Sequence, residues 1–214
     1  MMKHLLRTLF TLCMVWPLIW LWLGLRVKHR ERLPKSGPAI VVANHNSHMD
    51  VFALLSLFSL SRQADVHPVA AADYFMRNKA MAWFALNILN IIPVMRQGGE
   101  ANPLARCEQA LREGKTLILF PEGTRGEPGK LAPLKSGLWH LSKSMPDVPI
   151  VPVWLRGTEQ VMAKGNRIPL PLFIDVNIGE ALSFTPEKAA FMEELKLKLL
   201  ALSEHNGTSN PPKS

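Results

Sequence analysis

The sequence predicts an α/β fold: a single domain with a mostly parallel or mixed central sheet flanked by helices, plus an N-terminal hydrophobic membrane-anchoring helix. Two observations predict the sheet. Short apolar runs rich in valine and isoleucine alternate with segments of helical period, the pattern of a sheet covered on both faces. The 214 residues also suffice for one domain with a substantial core, and no repeat or linker divides them. The uncharged run from Leu9 to Leu25 predicts the anchor.

This N-terminal run has the composition of a retained anchor. As a helix it would be roughly 25 Å long, a little less than a hydrocarbon core of about 30 Å. Its three tryptophans suit a membrane interface, and no small-x-small cleavage site of a signal peptide follows. The next residues include a basic cluster of Arg26, Lys28, Arg30 and Arg32. The run either spans the bilayer or lies in one leaflet. If it spans, the cluster predicts that the following domain faces the cytoplasm.

The remaining elements alternate along the chain. The predicted strands are Ala39–Ala43, Val66–Ala71, Thr116–Phe120, Ile150–Leu155 and Phe173–Ile178. The predicted helices are Val51–Leu60, Tyr74–Leu89, a helix between Asn102 and Gly114, Ser136–Ser144 and a last helix after Thr185. Pro152 indicates an edge strand or a bulge, because proline cannot donate to a ladder. The chain therefore divides into an anchoring segment 1–26, a domain 27–205 and a flexible tail 206–214.

A histidine and an aspartate follow the first predicted strand in the pattern His-x-x-x-x-Asp. His45 can take a proton from a hydroxyl and return it, and Asp50 can orient the imidazole. Two alternatives use the same residues. Ser47 would be the nucleophile of a hydrolase, although no Gly-x-Ser-x-Gly elbow presents it. His45 and His48 would bind a metal ion, although no further ligand cluster completes such a site.

A second polar block, Phe-Pro-Glu-Gly-Thr-Arg, follows the predicted strand that begins at Thr116. It too begins where a buried strand ends, which is where open α/β sheets place their ligands. Glycine permits close backbone approach, and arginine offers a fork that matches phosphate. A further arginine, Arg96, follows the apolar run Ile91-Ile92-Pro93-Val94-Met95. The sequence therefore predicts a ligand site formed by loops at one edge of the sheet.

These blocks, together with Val148-Pro149-Ile150-Val151-Pro152-Val153, resemble the glycerolipid acyltransferase family over about Val27 to Leu182. The resemblance implies a catalytic base and its orienting carboxylate at His45 and Asp50. It implies acceptor binding by Arg96, Glu122, Gly123, Thr124, Arg125 and Lys135. Glu122 and Gly123 would contact the glycerol part, Glu122 through the acceptor hydroxyl, and the two arginines the phosphate. Relatives usually carry serine after the Phe-Pro-Glu-Gly-Thr-Arg block, whereas this chain has Gly126.

The resemblance also implies the reaction and its partners. The default reaction is acyl transfer to 1-acyl-sn-glycerol-3-phosphate, giving phosphatidic acid, with acyl-CoA or acyl carrier protein as co-substrate and without a cofactor or metal. Alternatives are a different lysophospholipid or lyso-lipid acceptor, a serine hydrolase, or a non-catalytic membrane-binding domain. The net charge of +8 suits membrane lipid and anionic donors. Nucleic acid is not expected, because no base-stacking platform is visible. We expect a membrane-associated protein with its catalytic domain on the cytoplasmic side.

Overall fold

A seven-stranded sheet organises the chain. The computed structural model describes residues 2–76, 78–95, 102–127, 129–161 and 173–204. The strands are β1 (Leu25–Lys28), β2 (Ala39–Ala43), β3 (Val66–Ala71), β4 (Ile92–Val94), β5 (Thr116–Leu119), β6 (Ile150–Arg156) and β7 (Ile174–Ile178). Their order across the sheet is β1-β7-β6-β2-β5-β3-β4. All neighbours are parallel except β6 and β7, so the predicted α/β fold with a mixed sheet is confirmed.

Helices cover both faces of this sheet. They are α1 (Met2–Phe10), α2 (Met49–Ser56), α3 (Ala72–Phe75), α4 (Lys79–Asn87), α5 (Ala105–Arg112), α6 (Gly137–Ser144), α7 (Thr158–Val161) and α8 (Lys188–Glu204). On one face Val41 and Ala43 pack with residues of α2. On the other, Ile40 and Val42 belong to a cluster with α5, α6 and α8. Strand β2 is therefore buried on both sides, as an interior parallel strand requires.

The N-terminal apolar run contributes to the core. After α1 the chain continues as two π-helical stretches, Thr11–Val15 and Pro17–Leu23. Val15, Ile19 and Leu23 are buried in the same cluster as α2, and Ile19 has no exposed surface. Within the described residues, none of the helices combines the length and the apolar composition needed to span a bilayer. The structure therefore gives no support to the predicted anchoring helix as a spanning element.

Several predicted elements differ from those observed. The single helix expected over Tyr74–Leu89 is interrupted, and Asn78 starts α4 by accepting hydrogen bonds from the N–H groups of Ala80 and Met81. The helix expected from Val51 begins earlier, at Met49, and ends at Ser56. Strands β1 and β4 were not predicted. Strand β1 alternates apolar and basic residues, and its basic residues belong to the cluster that the sequence analysis placed beside a membrane.

Pro152 does not mark an edge strand, because β6 lies between β7 and β2. The predicted alternative, a bulge, agrees with the pairing. Val153 pairs with Ile178, whereas Ile150 bridges Leu182, so the segment opposite β6 carries one extra residue. The proline lies at this irregularity, where its carbonyl accepts from the N–H of Gly179 at 2.8 Å.

Candidate active site

The two polar blocks meet at the carboxyl edge of the sheet. Strands β2 and β5 are parallel neighbours, with Val42 opposite Leu119. The segments after β2 and after β5 both leave the sheet at its carboxyl edge, so the residues that follow these strands come together there. His45 comes two residues after the end of β2, and Glu122 comes three residues after the end of β5. Their hydrogen bond, from the His45 N–H to Glu122 Oε1, is 2.7 Å long.

Asn44 fixes the direction in which the first block leaves the sheet. Its fully buried side chain donates to the carbonyl of Leu155 at 2.9 Å and accepts from the N–H of Leu155 at 2.7 Å. The amide thus continues the ladder between β2 and β6 after the main chain of β2 has turned away. Asn44 is a positioning residue that sequence reasoning missed. Its signal was an amide placed directly after a wholly apolar strand.

His45 and Asp50 form the predicted pair. Asp50 Oδ2 lies 2.9 Å from His45 Nδ1 and also accepts from the N–H groups of Asn46 and Ser47, at 2.7 and 2.8 Å. The carboxylate has no exposed surface. A carboxylate oxygen against Nδ1 selects the tautomer with its proton on that nitrogen, which leaves Nε2 as the acceptor. The imidazole also stacks on Phe120, with ring centroids 4.2 Å apart. The arrangement is that of an oriented general base.

Glu122 is part of the scaffold around His45. The residue is only 2% exposed, and its second oxygen, Oε2, accepts from the N–H of Ala132 at 2.9 Å. The His45 carbonyl accepts from the N–H of Gly126 at 2.8 Å, so the second block and the glycine that follows it hold both backbone groups of His45. Burial raises the pKa of the Glu122 carboxyl, and the two N–H donors act in the opposite direction. The structure thus places Glu122 against the backbone of His45, and its predicted contact with the acceptor hydroxyl stays a prediction.

Gly126, the position where relatives usually carry serine, is tightly enclosed. A Cβ at this position would lie 2.8 Å from Glu122 Oε2. That oxygen is held by the N–H of Ala132, so it has little freedom to move away. The glycine therefore lets the loop close on a carboxylate that is already fixed. Ala132 gave no sequence signal, since it acts only through its backbone.

The remaining acceptor-binding candidates lie on the open side of the site. Thr124 and Arg125 are exposed, while Gly123 has a positive φ of 70° and carries the Lys135 side chain across it. The main-chain N–H of Lys135 donates to the Pro121 carbonyl at 2.8 Å. The structure thus brings Gly123, Thr124, Arg125 and Lys135 near the base. Arg96 lies outside the described residues.

His48 and Tyr74 are in contact on the exposed side of the site. The Tyr74 hydroxyl is 3.1 Å from His48 Nε2, a contact that sequence reasoning missed. Partial burial of the ring lowers the pKa of His48, and the charges of Arg125 and His45 act in the same direction. No group of three His, Cys, Asp or Glu side chains suited to a metal ion occurs among the residues that the structure describes.

Ser47 is held inside the loop. It is buried, and its hydroxyl oxygen accepts from the N–H of Met49 at 3.2 Å, at the start of α2. Its own N–H donates to Asp50. The serine therefore supports the turn between the base and its carboxylate, and this position does not favour the hydrolase alternative.

Comparisons with known proteins identify the family of this chain. The family model described as Acyltransferase matches residues 24–156. A chloroplastic 1-acyl-sn-glycerol-3-phosphate acyltransferase, BAT2 of Brassica napus, is 30% identical over 139 residues, which are 64% of this chain and 38% of that protein. The enzyme of the same name from Limnanthes douglasii is 31% identical over 170 residues, which are 73% of this chain and 54% of the relative. The chain thus spans about half or less of these relatives.

A solved structure has the same fold. The crystal structure of the 1-acyl-sn-glycerophosphate (LPA) acyltransferase PlsC from Thermotoga maritima matches with a TM-score of 0.69. The match covers 88% of this chain and 75% of that one, at 24% sequence identity. The family match extends over more than half of the chain, from the residue before β1 to the end of β6. The chain therefore belongs to the acyltransferase family, as its resemblance to the glycerolipid acyltransferases predicted.

Proposed function

We propose that this chain transfers a fatty acyl group from acyl-CoA or acyl carrier protein to the free hydroxyl of 1-acyl-sn-glycerol-3-phosphate, giving phosphatidic acid. The observation that carries the proposal is the 2.9 Å contact between His45 Nδ1 and Asp50 Oδ2, which leaves Nε2 as the acceptor of a substrate proton. The names of the relatives support the choice of acceptor.

The reaction follows from this geometry. Nε2 of His45 accepts the proton of the acceptor hydroxyl while that oxygen attacks the thioester carbonyl carbon. Asp50 stabilises the imidazolium that forms. The carbon–sulfur bond then breaks, and His45 returns the proton to the departing thiolate. No covalent acyl-enzyme is needed, which agrees with the commitment of the Ser47 hydroxyl to the backbone of α2.

The acceptor phosphate is assigned to the basic residues on the open side of the site. Arg125 is exposed there, and its charge acts on His48. Lys135 lies across Gly123, and Arg96 remains the third candidate. Replacing Arg125 with alanine should raise the KM for 1-acylglycerol-3-phosphate and leave the KM for the donor nearly unchanged. Lysine should rescue only in part, because it keeps the charge but loses the bidentate fork. Unchanged acceptor kinetics in the alanine variant would remove Arg125 from the phosphate site.

We further propose that the protein works at a membrane with its catalytic domain on the cytoplasmic side, and that α1 lies in one leaflet. Leu5, Leu6 and Leu9 are exposed on α1, which gives this helix an apolar outer surface. The basic cluster after it is partly used within the protein. Arg26 pairs with Asp175 at 3.4 Å, and Arg32 donates to the carbonyl of Ile178. The exposed leucines are therefore the stronger support for attachment.

The experiment that tests the acceptor is an assay of the purified full chain against a panel of lysophospholipids that differ in head group. We expect the highest kcat/KM with 1-acylglycerol-3-phosphate and little activity with monoacylglycerol, which lacks the phosphate. A different preferred lyso-lipid would overturn the acceptor while keeping the chemistry. Hydrolysis of the thioester without transfer to any acceptor would overturn the chemistry itself.

A further inference from the structure

A cavity of about 420 Å³ lies at the opposite edge of the sheet from His45. His67 is near the amino end of β3 and Lys115 directly precedes β5, whereas the active site follows the carboxyl ends of the parallel strands. The cavity is lined by Arg7, Ala64, His67, Leu86, Asn90, Arg106, Gln109, Ala110, Glu113 and Lys115. None of these residues has a role in the proposed acyl transfer.

The cavity is predominantly positive. The lining contains three basic side chains, those of Arg7, Arg106 and Lys115, and one carboxylate, Glu113. Oε1 of Glu113 already accepts a hydrogen bond from Gln109. Lys115 pairs with Asp65 at 2.6 Å. Within the described residues neither arginine lies within ion-pair distance of a carboxylate. Arg7 is half-buried, and the hydrogen bonds of its guanidinium go to two main-chain carbonyls at the end of α4, in Asn87 and Ile88. These contacts hold its charge in place without neutralising it.

His67 is held as a neutral side chain beside these cations. Its Nδ1 lies 3.1 Å from the carbonyl of Asn90, and its Nε2 lies 3.2 Å from the side-chain nitrogen of the same residue. A neutral imidazole satisfies both contacts, because Nδ1 donates and Nε2 accepts. Burial lowers the pKa of His67, and the charges of Arg7 and Lys115 lower it further. His67 therefore adds no further charge to the cavity lining.

Part of the cavity lining is apolar and continues along the exposed face of α4. Leu86 lines the cavity and is 38% exposed. It belongs to α4, which packs on α1 through an edge-to-face contact of Phe10 with Phe84 at 5.2 Å. Trp83, one turn before Leu86 on the same side of α4, is 54% exposed. A ligand that fits all of these walls has an anionic head and an apolar body.

We infer that this cavity binds the phosphate of an anionic membrane phospholipid, separately from the acceptor that reacts at His45. The phosphate lies between Arg7 and Arg106, and the acyl chains lie along Leu86 and Trp83 of α4. Charge complementarity and the continuous apolar wall favour a lipid over free phosphate, which has no use for that wall. The site holds the α1–α4 end of the domain on an anionic bilayer.

The test is binding of the purified full chain to vesicles of phosphatidylcholine with and without phosphatidic acid. Arg106→Gln removes an exposed charge of the cavity and leaves α1 intact, and Arg7→Lys keeps the second charge while losing the fork. The matched control is Arg112→Gln, which removes one charge from the same helix, α5, at a residue that pairs with Glu108 and does not line the cavity. We expect Arg106→Gln to weaken binding to anionic vesicles about fivefold, the scale of one basic residue at an anionic surface. The control should change it less than twofold, and neutral vesicles should bind all variants alike.

A second measurement separates lipid from free phosphate. Dihexanoyl phosphatidic acid, below its micellar concentration, should raise the Tm of the unmodified protein and raise that of Arg106→Gln or Arg7→Lys clearly less. Equimolar inorganic phosphate should not raise the Tm. Equal loss of vesicle binding in Arg106→Gln and Arg112→Gln would overturn the site, since only net charge would then matter. Equal stabilisation by inorganic phosphate would overturn the lipid assignment.

Discussion

At the scale of single residues, Glu122 holds the backbone of His45, the proposed base. One carboxylate oxygen accepts from the N–H of His45 and the other from the N–H of Ala132. An amide cannot replace it, because its nitrogen would face one of these donors. Glu122→Gln should therefore lower kcat about 10- to 100-fold by displacing His45, with little change in the acceptor KM.

The control for this prediction is Glu127→Gln on the same loop, where the exposed carboxylate pairs with Lys130. It should keep wild-type kinetics. Steady-state kinetics with the acceptor varied would separate the two roles of Glu122. A raised acceptor KM with an unchanged kcat would contradict the positioning role and restore a direct contact with the acceptor.

His67 should make the free energy of unfolding depend on pH. Its folded pKa is lowered, mainly by burial, so the unfolded chain binds the proton more readily than the folded one. The free energy of unfolding should therefore fall as the pH is lowered from about 6.5, the ordinary value for histidine, through the folded pKa. His67→Gln removes this term, so the stability advantage of the unmodified protein over the variant should shrink from pH 7.5 to pH 5. Denaturant unfolding at several pH values measures it, and a difference that does not vary with pH would contradict the assignment.

At the scale of elements, the N-terminal run is the feature that the sequence described least well. An apolar helix with tryptophans has the same composition whether its neighbour is lipid or a protein core. The structure shows which residues of the run contact the protein core and which do not, because Ile19 is fully buried and Met14 is 60% exposed. Ile19→Ala should cost about 2–5 kcal/mol of unfolding free energy, the range for emptying a packed aliphatic site.

The matched variant is Met14→Ala, which should change stability by less than about 0.5 kcal/mol. Denaturant unfolding in mild detergent compares the two. Similar small effects from both substitutions would show that this run does not pack on the domain. A large effect confined to Ile19 would mean that removing the N-terminal run damages the core as well as any membrane attachment.

The strands show which parts of the fold could be predicted from local pattern. The five predicted strands are present because each is a compact apolar run. Strand β1 was not predicted because its exposed basic residues alternate with Leu25 and Val27. Strand β4 was not predicted because it has three residues. In the site, the spacing from His45 to Asp50 predicted a real contact. The burial of Glu122 could not be predicted, because Ala132 and the backbone of His45 approach it only in the folded chain.

At the scale of the whole molecule, the sheet separates two regions of different chemistry. Its carboxyl edge carries the His45–Asp50 pair, the buried glutamate and the exposed acceptor-binding candidates. Its amino edge carries the cationic cavity beside α1 and α4. In this arrangement the proposed lipid contact and the proposed reaction do not compete for the same residues. Loss of vesicle binding in Arg106→Gln should therefore leave acyl transfer to a detergent-dispersed acceptor unchanged.

The most direct test of the central claim is the rate of acyl transfer by purified His45→Ala. The assay follows transfer from acyl-CoA or acyl carrier protein to 1-acylglycerol-3-phosphate, with unfolding curves to confirm that the variant is folded. We predict a fall in kcat of at least about 100-fold, the scale for losing a general base. Normal turnover by a folded His45→Ala protein would contradict the account.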